Sequence, residues 1–424
     1  MSIYRKLLKS SSSVLLSQII SFASSLLVGI IFARVLGPEG KGALKLLILV
    51  PSMIVGFGTM GIEIANIYFI GQKKYDIQLL MGNTILVTIG MSVIIMILYP
   101  IFIPHFFSVL KVDVPYYLKL LTYFIVPLGL LGTFLSSFLL GLQRIVIRSI
   151  IDIIRSVSLL LFIIICIFVF HAGLHSILII NIFISLLPVG LMFLVLKDVV
   201  KIFPSYDKEA FKSVFCFGIK GYVGNVTHYF NIRLDLFLVA FFLGPKEVGI
   251  YSVAVGLGEL IWYIPSAIST VMFPAIANST MGASKVLAIN TVQKLFIPFI
   301  IIGLGIAVFG KFFIHFLYGE QFITAYPALV LLLPGILIMG ICGPFWDYIT
   351  GIGKIEYNLL TAPLSLGVTV ALDIILIPKF GIIGAAIASS CAYIVATLVI
   401  IYLYLKFSHS SITDLGKSNS STDN

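Results

Sequence analysis

The chain has 424 residues, of which 60% are hydrophobic and only 10% are charged, and its mean hydropathy is +1.16. A water-soluble globule needs more polar surface than this composition supplies, so the sequence excludes a soluble fold and predicts an integral membrane protein. The net charge of +10 comes from basic residues scattered between apolar runs. They do not form the continuous patch that binding to nucleic acid requires.

Apolar runs long enough to cross a bilayer as helices follow one another along the whole chain. Twelve spans are predicted, at 12–36, 43–70, 79–104, 116–141, 150–171, 174–196, 213–243, 247–277, 288–315, 323–351, 356–378 and 381–406. Because the breaks between them are short, consecutive helices are expected to be antiparallel neighbours. The predicted fold class is therefore an all-α integral membrane protein with twelve transmembrane helices.

One sequence motif occurs twice. The segment FARVLGPEGKG at 32–42 returns as VAFFLGPKEVG at 239–249, at a constant offset of 207 residues. Such an offset indicates an internal duplication. Each half holds six predicted spans, so both halves enter the membrane in the same orientation. This predicts two six-helix lobes related by a pseudo-two-fold axis along the membrane normal. The motif itself is expected to be a turn between two helices, because Gly and Pro break a helix.

The polar segments divide the chain and orient it. The expected parts are a lobe at 1–196, a cytoplasmic linker at 197–212, a second lobe at 213–407 and a disordered, Ser-rich cytoplasmic tail at 408–424. If both termini lie on one side, that side holds sixteen Lys and Arg residues and the opposite side holds five. The positive-inside rule therefore places both termini in the cytoplasm.

Polar residues recur at helical spacing in the first, second, seventh and eighth predicted spans, which are the duplicated ones. Under the offset of 207, Ser21 falls on His228 and Ser24 on Asn231, so two polar faces coincide. Polar groups are costly against lipid, and the faces are therefore predicted to line a cavity. The predicted cavity-lining residues are Ser17, Ser21, Ser24, Glu63, Lys220, Asn225, His228, Asn231, Arg233, Asp235 and Glu259.

Two interpretations of these faces stay open for the small residues, because Ser and Gly are also normal packing contacts between membrane helices. For the ionisable residues a functional role is favoured. His228 and Glu259 lie near the middle of their spans and are the candidates for a midplane site or a protonatable coupling group. Arg233 and Asp235 are two residues apart and point away from each other, so Arg233 is expected to pair with another helix or to reach the interface.

Three arginines, Arg144, Arg148 and Arg155, lie with Asp152 on one helical face at the predicted cytoplasmic mouth. Anchoring to lipid headgroups is the favoured interpretation. Contact with the phosphate of a phosphorylated substrate is the alternative, because arginine forks suit phosphate.

The sequence contains no P-loop motif, and no nucleophile can be placed beside a base. The expected protein is therefore not an enzyme, and neither a cofactor nor a metal site is predicted.

Longer motifs carry a resemblance to a known family. ARVLGPEGKG, the segment RLDLFLVAFFLGPKEVGIYSVAVGLGE at 233–259 and FPAIA at 273–277 resemble the polysaccharide-export family. This family includes the Wzx-type flippases for O-antigen and capsule repeat units, within the multidrug/oligosaccharidyl-lipid/polysaccharide exporter superfamily. The residues that match its pattern are Arg34, Gly37, Pro38, Arg233, Asp235, Gly244, Gly249, Tyr251 and Pro274.

The resemblance implies a MATE-like, alternating-access carrier in a bacterial or archaeal cytoplasmic (inner) membrane. Its substrate would be a polyprenyl-pyrophosphate-linked oligosaccharide, moved from the cytoplasmic to the outer leaflet by a gradient of H⁺ or Na⁺. The implied partners are this lipid-linked oligosaccharide, membrane lipids, a polysaccharide polymerase and glycosyltransferases, with no nucleic acid.

Three other functions stay open. A multidrug or cation antiporter of the same fold would use an acidic site, which Glu63 and Glu259 could supply. A lipid II-type flippase usually has two more C-terminal spans and more arginine in its cavity. A membrane scaffold that transports nothing would tolerate loss of His228, Asp235 or Glu259.

Overall fold

The computed structural model of the chain describes residues 2–170, 173–199, 207–277 and 279–408. In these ranges the chain is helical, with three 3₁₀ turns at Thr122–Phe124, Leu260–Trp262 and Glu320–Phe322. The α-helices are α1 Ser2–Gly58, α2 Ile62–Gln72, α3 Ile77–Val109, α4 Tyr116–Leu121, α5 Ile125–Gly141, α6 Ile145–Phe170, α7 Leu174–Leu196, α8 Lys208–Leu243, α9 Pro245–Glu259, α10 Tyr263–Ala277, α11 Met281–Tyr318, α12 Ala325–Ile341, α13 Gly343–Gly351, α14 Ile355–Phe380 and α15 Ile382–Ser408.

Ten helical stretches in the described residues are long and apolar enough to cross a membrane. The prediction of an all-helical, multi-pass membrane protein is thereby confirmed. The described residues hold ten candidate spans where twelve were predicted, and two differences account for this. The stretch Leu16–Gly58 covers two predicted spans, and α8 is not among the ten. The number twelve and the two-fold relation of the halves stay predictions.

The break predicted at the first motif copy is confirmed at Gly37, where two helical stretches within α1 meet at a kink. Gly37 has φ 65° and ψ −175°, which lie outside the helical region, and helix continues on both sides of it. Pro38 follows, and its missing N–H suits the start of the second helical stretch. A second break follows, because α1 ends at Gly58 and α2 begins at Ile62. Predicted span 43–70 is therefore two helices.

The chain divides into two compact units. Unit 1 comprises Met1–Val226 and Gly244–Gly249, and unit 2 comprises Thr227–Leu243 and Ile250–Asn424. Helix α8 begins at Lys208, inside the predicted linker 197–212, because Asp207 accepts a hydrogen bond from the Ala210 N–H (2.7 Å) and caps it. The predicted division into lobes at 1–196 and 213–407 stays a prediction, and residues 409–424 of the tail lie outside the described ranges.

Unit 1 is built by helix-on-helix packing. Helix α1 packs on α6, α2 packs on α5, and α7 packs on both α5 and α6. Fully buried aromatic side chains such as Phe134 and Phe138 fill the contact. In unit 2, α15 packs on α12 and α14, while α13 packs on α10 and α11. This arrangement puts α15 at the core of unit 2, with Tyr404 and Ala388 wholly buried.

The two motif copies meet inside unit 1. A Cβ placed on Gly42 would lie 1.7 Å from the Pro245 carbonyl oxygen, and one placed on Gly249 would lie 1.9 Å from the Pro38 carbonyl oxygen. The contact is reciprocal, and both positions require glycine because main chain crosses main chain there without room for a side chain.

Candidate functional site

A buried polar cluster lies within unit 2, where α8, α9 and α15 meet around one carboxylate. Asp235 on α8 is 1% exposed. Its Oδ2 accepts hydrogen bonds from the Tyr251 hydroxyl on α9 (2.9 Å) and the Ser389 hydroxyl on α15 (3.3 Å). Its Oδ1 accepts a hydrogen bond from the Leu236 N–H (2.7 Å). Donors from three helices thus hold the carboxylate in one orientation.

An amide network continues the cluster one helical turn away. The Asn231 Nδ2 donates to the Ser365 hydroxyl (3.0 Å), and the Asn231 Oδ1 accepts from the Thr369 hydroxyl (3.0 Å), both on α14. Ser365 donates in turn to the carbonyl oxygen of Ala392 on α15 (3.0 Å). Helices α8, α14 and α15 are therefore joined by side-chain hydrogen bonds within the apolar interior of unit 2.

The second carboxylate of the cluster has no such partners. Asp373 lies one turn beyond Thr369 on α14 and is 0% exposed. Among the described residues, neither of its carboxylate oxygens has a hydrogen-bond partner. The Asp373 carboxylate also interacts electrostatically with Asp235. Burying an uncompensated carboxylate costs several kcal/mol, so its charge calls for a proton or a bound cation.

Arg233 and Glu259 form an ion pair beside the cluster. The Arg233 Nη1 donates to the Glu259 Oε1 at 3.0 Å, and the two side chains are 28% and 25% exposed. Of the two outcomes expected for Arg233, the structure realises pairing with another helix, α9. The guanidinium charge of Arg233 is thus matched by the carboxylate of Glu259.

The composition of the cluster limits what it can bind. Hard cations prefer oxygen ligands, and the carboxylates of Asp235 and Asp373 lie with the hydroxyls of Ser389 and Thr369. Across the described ranges, no group of three or more His, Cys, Asp and Glu side chains is placed to hold a metal ion. The arrangement therefore suits a proton or an alkali cation rather than a transition metal.

The predicted serine face of α1 lies in a helix contact. Ser17 and Ser24 are 6% and 5% exposed, and Ser17 donates to the Val14 carbonyl oxygen of its own helix (2.8 Å). Ser21 accepts a hydrogen bond from the Ser156 hydroxyl on α6 (2.9 Å). These contacts are typical of the packing interpretation that the sequence left open. A cavity-lining role for the three serines stays a prediction.

Glu63 lies in unit 1, at the first turn of α2 after the break. Its Oε2 is buried and has no hydrogen-bond partner in the described part of the chain. Tyr222 on α8 lies within electrostatic range of Glu63 and donates its hydroxyl to the Phe57 carbonyl oxygen (2.8 Å), which the helix break leaves available. Glu63 therefore does not join the unit 2 cluster.

The three arginines of the predicted cytoplasmic mouth differ in their contacts and exposure. The Arg144 Nη1 donates to the Val195 carbonyl oxygen on α7 (2.9 Å). The Arg148 Nε lies 3.9 Å from the Asp152 Oδ2, too far for a hydrogen bond, and Arg155 is exposed. Their contact with phosphate stays a prediction.

Three predicted site residues on α8, Lys220, Asn225 and His228, have side chains outside the described residues. Their cavity-lining roles therefore stay predictions from the sequence.

Residues 7–280 match the model of a protein family described as polysaccharide biosynthesis protein. The chain belongs to this family. The resemblance that the motifs carried in the sequence is thereby confirmed. The match to the polysaccharide biosynthesis family includes α8 and α9 of the cluster, whereas α14 and α15 lie beyond residue 280.

Individual proteins resemble the chain in sequence and in fold. An uncharacterized membrane protein of Methanocaldococcus jannaschii is 26% identical over 93% of the chain and 83% of its own length. A probable low-salt glycan biosynthesis flippase of Haloferax volcanii is 23% identical over 50% of the chain and 48% of its own length. A solved structure of the lipid II flippase MurJ, in an inward closed conformation, has a TM-score of 0.73 at 17% identity, with 96% of this chain and 92% of that chain covered. At this identity the likeness concerns the fold alone.

The sequence argument missed four cluster residues, namely Ser365, Thr369, Asp373 and Ser389. A signal for three of them was present, because Ser365, Thr369 and Asp373 step by four and share a helical face. Asp373 is also the only carboxylate between residues 361 and 380, a stretch of high mean hydropathy.

Proposed function

We propose that the protein is a flippase for surface polysaccharide biosynthesis. It moves a polyprenyl-pyrophosphate-linked oligosaccharide repeat unit from the cytoplasmic to the outer leaflet by alternating access. The family match supports polysaccharide biosynthesis as the process. The similarity to a probable low-salt glycan biosynthesis flippase of Haloferax volcanii supports flipping as the activity. In this proposal the protein is a transporter rather than an enzyme, with both termini in the cytoplasm.

The buried carboxylate pair is the observation that carries the driving mechanism. Asp235 is oriented by three donors, and Asp373 is buried without a partner among the described residues. A cation that enters neutralises Asp373 and bridges α14 to α8, and its departure restores an unfavourable buried charge. The two occupancy states thus differ in the free energy of packing within unit 2. A gradient of H⁺ or Na⁺ can use that difference to bias the transport cycle.

The substrate side of the proposal rests on cationic residues. Arg144, Arg148 and Arg155 are assigned to the pyrophosphate at the cytoplasmic mouth, where arginine forks bind phosphate oxygens well. The polar residues of α8 that include Lys220 are assigned to the sugar, whereas Asn231 is held in the amide network of unit 2.

Reconstituted transport tests the proposal. Purified protein in proteoliposomes would receive a fluorescent polyprenyl-pyrophosphate-linked oligosaccharide, and an imposed Na⁺ or H⁺ gradient would drive its movement to the opposite leaflet. Asp373→Asn and Asp235→Asn are expected to lower the gradient-driven rate by about tenfold or more, because the variants lose the differential binding of the cation. Asp113→Asn, which changes an exposed loop carboxylate, is the matched control and should leave the rate unchanged.

Two results would overturn the proposal. If the wild-type protein moves no lipid-linked oligosaccharide in this assay, and its deletion leaves surface polysaccharide intact, flipping is wrong. If flipping persists with the same gradient dependence in Asp373→Asn, the coupling site is wrong while flipping stands.

The same carboxylate pair would also serve a multidrug or cation antiporter. The two functions differ in cargo, so export of cationic dyes by the reconstituted protein, with no movement of lipid-linked oligosaccharide, would favour the antiporter.

A further inference from the structure

Unit 1 has an apolar cleft of about 330 Å³ between α3, α5 and α7. Met81, Leu131 and Val189 are among the residues that line it, and Lys197 lies at one end. Lys197 and Val189 are eight residues apart, so the cleft extends about 12 Å along α7. Phe193 on its wall is 41% exposed, which places the cleft at the lipid-facing surface of the unit.

The walls of the cleft offer few polar partners to water. Its walls carry the hydroxyls of Thr84 and Thr88, but these donate to the carbonyl oxygens of Leu80 (2.7 Å) and Thr84 (2.8 Å) in their own helix. A buried water needs two to four polar partners, and apolar cavities without them stay dry. Hydrocarbon is therefore the content that suits these walls.

The end of the cleft carries the ammonium group of Lys197. Lys197 caps the C-terminus of α7 and is exposed. The guanidinium of Arg144 donates to the carbonyl oxygen of Val195, two residues before Lys197. Two positive side chains therefore lie at the same end of α7, where an anionic headgroup would complement them.

We propose that the cleft binds one hydrocarbon chain of an anionic phospholipid, whose phosphate is held by Lys197 at its end. This site is separate from the carboxylate cluster and does not depend on the proposed flippase activity. It makes the packing of α3 and α7, and so the stability of unit 1, dependent on anionic lipid.

Native mass spectrometry and thermal unfolding test the assignment on the purified, delipidated full chain. Phosphatidylglycerol is expected to bind and to raise the melting temperature more than phosphatidylcholine at the same concentration. Lys197→Gln should weaken the apparent affinity for phosphatidylglycerol by about fivefold, because one cationic contact near the membrane surface is lost. Lys294→Gln, an exposed lysine of α11 in unit 2, is the control and should bind as the wild type does.

A second variant tests the cleft itself. A Cβ on Gly190 would meet no atom within 4 Å, so Gly190→Leu fills the cleft without a collision. It should abolish the extra stabilisation by phosphatidylglycerol, while Gly90→Leu, on the exposed side of α3 with equal space, should preserve it. Unchanged phosphatidylglycerol binding in Gly190→Leu would overturn the proposal. Displacement of phosphatidylglycerol by equimolar polyprenyl phosphate would assign the cleft to that lipid and overturn the phospholipid assignment.

Discussion

At the scale of single residues, three acidic side chains in unit 2 differ in their hydrogen-bond and ion-pair partners. Asp235 is saturated with donors, Asp373 has none among the described residues, and Glu259 is paired with Arg233. All three carboxylates are on largely apolar helices. Their partners therefore differ because different residues of the neighbouring helices face each one. Only Asp373 leaves both oxygens available, which makes it the residue most sensitive to a bound cation.

A double-mutant cycle measures the Arg233–Glu259 pair. Arg233→Gln and Glu259→Gln should each destabilise the protein, because each leaves a partly buried charge without its partner at 3.0 Å. The double variant should lose less than the sum of the two, by about 1 kcal/mol or more. Thermal unfolding in one detergent provides the comparison, with Arg155→Gln at an exposed position as the control. Additive losses would show that the pair contributes nothing.

At the scale of helices, the repeated motif is a crossing point. The kink at Gly37 redirects α1, and the crossing of Gly42 with Gly249 brings main chain against main chain in unit 1. The motif is therefore constrained by packing, and its two copies constrain each other. This explains why the final glycine is among the residues that the two copies share, whereas most of the surrounding side chains differ.

Gly42→Ala should be severely destabilising. The new Cβ would lie 1.7 Å from the Pro245 carbonyl oxygen, and main chain cannot move aside as a flexible side chain would. The expected loss is about 3 kcal/mol or more, seen as low yield and a lowered melting temperature.

The control for Gly42→Ala is Gly29→Ala on the same helix, where a Cβ would meet no atom within 4 Å. It should be neutral or stabilising by up to about 1 kcal/mol, because alanine favours helix. Equal melting temperatures for the two variants would contradict the crossing.

At the scale of the whole molecule, charge decides orientation and apolar length decides crossing. The ten candidate spans account for most of the described residues, and basic residues cluster in the breaks that lie on one predicted side. Translocating lysine and arginine is costly, so the side with more of them is predicted to stay in the cytoplasm.

Cysteine labelling in whole cells tests this orientation. Lys246→Cys and Lys73→Cys are exposed positions on opposite predicted sides, introduced into a background with Cys216 replaced by Ser. A membrane-impermeant maleimide should label Lys246→Cys in intact cells and Lys73→Cys only after permeabilisation. The reverse pattern would place the termini outside.

The membrane class and part of the candidate site could be predicted from the sequence alone. Composition determined the membrane class, since too few polar residues are present to cover a soluble surface. The offset of 207 predicted an internal duplication, and helical spacing singled out Asn231, Arg233, Asp235 and Glu259. These are local properties, because hydropathy and periodicity depend only on near neighbours in the chain.

The tertiary structure alone decided which polar faces meet. Periodicity assigns a residue to a face of its helix but does not say which helix lies opposite. Asp235 therefore could not be connected from the sequence to Ser389 or Asp373, which lie more than a hundred residues away. Likewise, Ser21 could not be assigned to a contact with α6 rather than to an open cavity. Such pairings depend on how whole helices pack, and packing is set by the summed fit of many side chains rather than by any one segment.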